Sequence, residues 1–337
     1  KQVDMTVEGA KVLMTCGQAR FELPLIQSQL ADARAHRVPL VRVQQPRLAL
    51  AARLALAAGR RLDDAQPWVD GHLPAGPGGR AGSGIRLHAV LPPLAHGGTC
   101  ISLRVLRPAT QTLDSLIEGG AVPADVAGLV RRVVAARLAF LVVGGTGSGK
   151  TTLLNGLLGA VDPAERVLCV EDAHELDPVH PHVVSLLARG ANVEGVGEVT
   201  VRDLVRQALR MRPDRIVVGE VRGAEVVDLL TALNTGHDGG AGTVHANSPR
   251  EVPARLEALA ALGGLGREAL HAQLAAAFQV VFAVHRWPSG RRGLRSIGVV
   301  DRGGDGYVRV LPAWDRDGGF TAEVERVQAL LAERGVP

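Results

Sequence analysis

The run Gly144-Gly-Thr-Gly-Ser-Gly-Lys-Thr151 has the spacing G-x-x-x-x-G-K-[ST] of a loop that wraps a phosphate chain. In such a loop the glycines let successive backbone N–H groups turn inward around a β-phosphate. The helix that follows adds the positive end of its dipole. Here Gly144, Gly145, Thr146, Gly147, Ser148 and Gly149 would form the cradle. Lys150 would reach the β- and γ-phosphates, Thr151 would offer a hydroxyl to Mg²⁺, and Thr152 would continue the first helical turn. The glycine matches weigh little in a chain with 41 glycines. The lysine weighs more, because the other two, Lys1 and Lys11, fall within the first eleven residues. An ammonium beside a phosphate oxygen contributes about 4 kcal/mol at an effective dielectric of about 20. The expected ligand is a nucleotide with Mg²⁺, and the loop alone does not choose among kinases, GTPases, transporters, helicases and secretion motors.

Two acidic elements follow. Ile216-Val-Val-Gly-Glu220 is an apolar strand ending in a carboxylate, suited to act as a base or to position water. A common version of this motif carries Asp before the Glu; here that position is Gly219. Metal coordination would then rest on Thr151, on water and on a further carboxylate. Glu171-Asp172, after the strand 166–170, offers one, so Glu171 and Glu220 would both approach Mg²⁺ through water. His237 and His245 bracket a Gly-rich turn and a strand, and are expected to sense phosphate. The spacings of His174, His180 and His182 match no usual zinc pattern.

These residues need a frame that brings them to one edge. Leu141-Val-Val, Val167-Leu-Cys-Val and Ile216-Val-Val are continuously apolar. Such runs signal strands buried on both faces, hence a parallel sheet covered by helices. The pattern predicts helix 123–137, strand 139–143, helix 149–159, strand 166–171, helix 200–211, strand 215–219, helix 223–235, strand 242–246 and helix 250–262. Hairpin strands follow over 279–312, with turns at Pro288-Ser-Gly290 and Gly303-Gly-Asp-Gly306. Thr200 and Asp203 form a capping-box pattern at one helix start.

The first half has a different texture. A helix over 46–59 and strands at 85–91 and 100–106 are separated by a Pro- and Gly-rich stretch, 74–84, expected as an exposed loop. The fold class is α/β: a P-loop domain with a parallel sheet (123–337) preceded by a smaller α+β domain (1–107), with a linker at 108–122.

The 337 residues suffice for two domains, and 46% hydrophobic with 21% charged residues suits a soluble globular chain. The formal charge of +4 and 3% aromatics argue against a stacking nucleic-acid channel, so no direct nucleic-acid contact is expected. Three scattered cysteines suggest a reducing cytosol. No apolar run approaches the ~20 residues of a membrane span; the longest, Leu274–Val284, contains Gln279.

With the P-loop at 144–151, VEDAHEL at 170–176, RIVVGE at 215–220 and GHDGGAGTVHANS at 236–248 in that order, the chain resembles the type II/IV secretion ATPases. It is most similar to the CpaF/TadA branch that drives tight-adherence pilus assembly. The run GEVRGAE is the most specific element, and the resemblance spans roughly residues 59–285. It implies a RecA-like fold for residues 123–337 and ATP as the nucleotide, with Lys150 and Thr151 on the phosphates and Mg²⁺, Glu220 as the hydrolytic carboxylate, Glu171 beside it, and His245 with His237 as γ-phosphate sensors. It further implies that Arg86 and Arg104 of the N-terminal domain supply positive charge to the nucleotide, with Arg222 a lesser candidate. A homo-hexameric ring is implied, cytoplasmic and peripheral to the inner face of the membrane, acting on an inner-membrane platform protein and having no transmembrane segment of its own. The rivals are a RecA-like nucleic-acid translocase and a non-catalytic, nucleotide-gated scaffold.

Overall fold

A computed structural model of the chain describes residues 4–8, 11–16, 19–24, 40–42, 46–74, 84–106, 111–192 and 194–336. The stretch 75–83, expected as a loop, lies outside the described residues. The chain divides into two compact units, Lys1–Pro108 with Gly190–Glu198, and Ala109–Arg189 with Val199–Pro337.

The first unit holds β1 (Asp4–Glu8), β2 (Lys11–Cys16), β3 (Ala19–Pro24), β4 (Leu40–Arg42), α1 (Pro46–Ala57), β5 (Trp68–Pro74), β6 (Gly84–Val90) and β7 (Cys100–Leu106). β1-β2-β3 form an antiparallel meander, and β4-β7-β6-β5 a second antiparallel sheet. In the latter, Ile85, Leu87 and Ala89 alternate onto one face, where Ala51, Leu54 and Ala55 of α1 cover them. That alternation is what one buried face requires.

The second unit holds α2 (Leu113–Glu118), α3 (Ala124–Ala135), β8 (Phe140–Val143), α4 (Lys150–Leu158), β9 (Val167–Glu171), β10 (Val183–Leu187), α5 (Val201–Ala208), β11 (Arg215–Val221), α6 (Glu225–Leu233), β12 (Ala241–Val244), α7 (Val252–Leu262), α8 (Arg267–Ala277), β13 (Val280–Arg286), β14 (Arg292–Arg302), β15 (Val308–Asp315), β16 (Gly319–Phe320) and α9 (Val324–Glu333). Its nine strands run in the order β10-β9-β11-β12-β8-β13-β14-β15-β16. The first six are mutually parallel and the last three antiparallel.

Successive strand residues feed two different cores. Phe140 and Val142, Val167 and Cys169, and Val217 face one cluster with α3, α4 and α9. Leu141 and Val143, Leu168 and Val170, and Ile216 and Val218 face the other, with α5 to α8. Both faces are thus dry, which is why these strands read as unbroken apolar runs. The Thr200–Asp203 capping box is present, each residue bonding the other's backbone N–H.

One expectation changes. Residues 111–122 are not a free connection: Thr112 caps α2, whose Leu113 and Leu116 are buried in the core with α4. The run Leu274–Val284 is shared between α8 and β13 and turns at Phe278-Gln279. Among the described residues no helix is long and apolar enough to cross a membrane.

Candidate active site

Parallel strands put all their C-terminal ends on one edge. β8 delivers the P-loop to that edge, β9 delivers Glu171, β11 delivers Glu220 and β12 delivers His245. Register makes the neighbours specific, since Val143 pairs with Val244 and Val221 with Val244.

The loop is built for close backbone approach. A Cβ on Gly144 would stand 2.4 Å from the Val284 carbonyl oxygen of the adjacent β13. Gly149 turns the chain into α4 at φ 105°, a conformation that side chains disfavour. Lys150 is buried, and its Nζ donates to the carbonyls of Gly144 at 3.1 Å and Gly145 at 3.3 Å. Burial pulls its pKa down, opposed by the charge of Glu220. Thr151 Oγ1 donates to Glu175 at 3.4 Å, so Glu175 rather than Glu171 is the carboxylate it touches. Asn155 fastens the same segment to α4 by accepting from Asp177 N–H at 2.9 Å.

His245 Nε2 lies 3.2 Å from Lys150 Nζ and 3.0 Å from Glu220 Oε1. Burial, and then the charge of Lys150, hold this imidazole below its ordinary pKa. As a neutral ring, its Nε2 either accepts from the ammonium or donates to the carboxylate. When it accepts, Glu220 Oε1 is a buried oxygen without a hydrogen-bond partner. Burial by itself would raise the Glu220 carboxyl, but Arg222, His245 and Lys150 outweigh it and keep the group below the usual carboxylate range. Glu220 is therefore ionised at neutral pH. Arg222 bridges it to Asp172, donating to Glu220 Oε2 and, at 2.7 Å, to Asp172 Oδ2.

Glu171 explains the missing Asp of the strand motif. A Cβ on Gly219 would sit 2.7 Å from Glu171 Cγ and 3.0 Å from Oε1. The side chain from β9 fills the space where a residue 219 side chain would begin, and glycine is what makes room. Oε1 of Glu171 accepts from the N–H groups of Glu175 and Leu176 at 3.1 and 3.0 Å, while its buried Oε2 has no partner. Burial pushes this carboxyl up to about 8, against those two backbone hydrogen bonds.

The unfolded chain loses the same proton near 4.5. Between those values the folded state holds the extra proton, so Glu171 makes stability fall as pH rises from about 5 to about 8. Glu171→Gln should flatten that decline by a few kcal/mol. Urea unfolding of both proteins at pH 5 and pH 8 measures it.

Beside the loop, a cavity of about 210 Å³ is lined by Ser148, Gly149, Thr152, Leu116, Val122 and Leu294. Its apolar walls, next to the first turn of α4, suit the flat face of a nucleobase.

The type II/IV secretion system protein family matches residues 34–286, three quarters of the chain. The chain belongs to that family. A putative conjugal transfer protein of Mycobacterium tuberculosis strain H37Rv is 66% identical over 286 residues, covering 85% of this chain and 80% of that protein. The probable conjugal transfer protein TrbB of Sinorhizobium fredii is 32% identical over 262 residues, covering 76% and 74%. Among solved structures, the Legionella pneumophila ATPase DotB superposes with a TM-score of 0.58 at 20% identity, over 98% of this chain and 83% of that one. The pilus retraction motor PilT with bound ADP gives 0.55 at 19% identity, over 98% and 83%. At those identities the likeness is one of fold, and that fold is the RecA-like P-loop type. As a member of this secretion ATPase family the chain is an ATP hydrolase.

The structure gathers Lys150, Thr151, Glu171, Glu220 and His245 at one edge. It does not bring His237 there. His237 precedes β12 and so stands at the opposite edge of the sheet, its Nδ1 3.1 Å from the Ala232 carbonyl oxygen at the end of α6. A phosphate sensor must follow that strand, as His245 does. Arg86 and Arg104 lie in the other unit, opposite each other on β6 and β7, with Arg86 bonded to Asp70 through Nε at 3.1 Å and Nη2 at 2.7 Å. Sequence reasoning missed the Arg222–Asp172 bridge and the base-sized cavity. It also missed Thr243, whose buried hydroxyl donates to the Gly219 carbonyl at 2.7 Å and ties β12 to β11. Only the strand register relates those residues, and a linear pattern does not display it.

Proposed function

We propose that this chain is an ATP-driven motor of a secretion or pilus-assembly machine. The observation that carries the reading is the contact chain from Lys150 through His245 to Glu220. It links the cation that meets a triphosphate to the ionised carboxylate that can polarise water. A phosphate that draws Lys150 away leaves His245 free to donate to Glu220, so nucleotide occupancy and the state of the carboxylate are coupled.

The donor set also suits Mg²⁺: a threonine hydroxyl and nearby carboxylates, with an orphaned oxygen on both Glu171 and Glu220. Thr151 would hold the ion directly, with Glu171 and Glu220 through water. The ion would neutralise charge developing on the phosphates. Arg86 and Arg104 would add positive charge to the nucleotide from the N-terminal unit. Such arginines are worth ~10³–10⁵ in rate in other phosphoryl-transfer enzymes.

In the working state the chain would be a homo-hexameric ring in the cytoplasm, pressed on an inner-membrane platform protein that converts its motion into pilin or substrate movement. Tight-adherence pilus assembly is the finer reading, supported by the run GEVRGAE. Conjugal transfer is the second, favoured by the names of the two relatives above. Turnover of ATP against protein concentration, with particle size measured in parallel, tests the motor. Turnover per chain should rise cooperatively as rings form. A rate per chain that is independent of concentration, from monomers alone, would contradict the ring. In a host lacking this chain, loss of surface pili with DNA transfer intact supports the first reading, and the reverse supports the second.

A further inference from the structure

The turn at Pro288-Ser-Gly290 joins β13 to β14, and the strand ends beside it reach the phosphate loop. Arg286 ends β13 and Arg292 opens β14, and the two are direct cross-strand partners. Like charges in that position repel. Both are exposed, and neither guanidinium makes a hydrogen bond or ion pair among the described residues.

Other arginines of this corner are tied down. Arg291 Nη2 donates to the Gly120 carbonyl at 3.2 Å. Arg316 donates to the carbonyls of Leu294 at 2.9 Å and Gly120 at 2.8 Å, and stacks 5.1 Å over the Trp287 ring. The two left over are the two against the P-loop. A Cβ on Gly147 would lie 3.9 Å from Arg286 Nη1, and a Cβ on Gly149 would lie 3.9 Å from Arg292 Cβ and Cδ. Arg292 also lines the base-sized cavity with Thr152. The hairpin is held in place at Gly293, where a Cβ would meet the Ala121 carbonyl at 2.5 Å.

We propose that Arg286 and Arg292 form a same-chain clamp on the phosphate chain of the bound nucleotide, a second cationic contact beside Lys150. An anion between two guanidinium groups turns their repulsion into paired attraction, and the guanidinium fork matches phosphate oxygens bidentately. The side chains are long and unfastened, so they close on the ligand without moving the backbone. The clamp rests on the P-loop being a nucleotide site.

The test is equilibrium binding of ADP and of pyrophosphate to wild type, Arg286→Gln, Arg292→Gln, Arg291→Gln and Lys150→Ala. Each clamp variant should weaken both ligands about tenfold, and the double variant about a hundredfold, in line with one charge-assisted contact per arginine. Arg291→Gln removes the same charge from the same hairpin and should stay within about twofold of wild type, because its guanidinium is held at Gly120. Melting temperatures without ligand should be alike for the arginine variants. If Lys150→Ala abolishes binding while both clamp variants bind as wild type does, the clamp is wrong and the nucleotide site stands. If wild type binds neither ligand, or Lys150→Ala changes nothing, the nucleotide reading fails and the clamp with it.

Discussion

Glu220→Gln yields a protein that still binds ATP and hydrolyses it ~10²–10⁴ times more slowly. The substitution keeps the side chain's size and an oxygen to accept from Arg222, so the bridge to Asp172 survives in part. What it removes is the negative charge that Arg222, His245 and Lys150 stabilise. An amide neither takes a proton from water nor polarises it strongly. The loss should therefore fall on kcat, with nucleotide affinity within a few-fold of wild type, as expected for a group acting mainly in the transition state. Isothermal titration with ATP and a phosphate-release assay on the same preparation separate the two.

Lys150→Ala fails earlier, at binding. The ammonium is buried against loop carbonyls and beside His245, and a phosphate anion is the partner that would offset its charge. Losing a contact worth about 4 kcal/mol weakens ATP by roughly a thousandfold. The fold should survive, because the lysine is already desolvated at a cost that shows in its lowered pKa. Titration with ATP up to millimolar concentration should give no saturation, while circular dichroism and the ligand-free melting temperature stay at wild-type values.

Much of this site was legible because it depends on strand direction. Apolar runs on both faces announce parallel strands, and parallel strands deliver whatever follows them to one edge, as Lys150, Glu171, Glu220 and His245 show. The same rule speaks against His237, which stands before its strand. The strand between His237 and His245 was itself legible; the error lay in giving one role to two residues at its opposite ends, which stand at opposite edges of the sheet. Glycine at 219 looked like a departure from a motif. It is a packing requirement set by Glu171 from the neighbouring strand, which only the register reveals. The helix α2 looked like linker because six residues carry too little periodicity to stand out, and its burial comes from tertiary packing on α4. The excursion 190–198, which groups with the first unit while Arg189 and Val199 bridge at its neck, is marked only by three glycines in nine residues, a weak signal in a chain with 41 glycines.

The central claim is that a triphosphate held at Lys150 is cleaved by water that Glu220 activates. A single-turnover experiment with excess protein and γ-labelled ATP tests it most directly, because binding and cleavage are read on the same molecules. Wild type should release labelled phosphate from all the bound ATP, and Glu220→Gln should hold intact ATP at least a hundredfold longer. Intact ATP persisting on wild type for as long as on Glu220→Gln would contradict the claim and leave a scaffold that binds nucleotide without cleaving it.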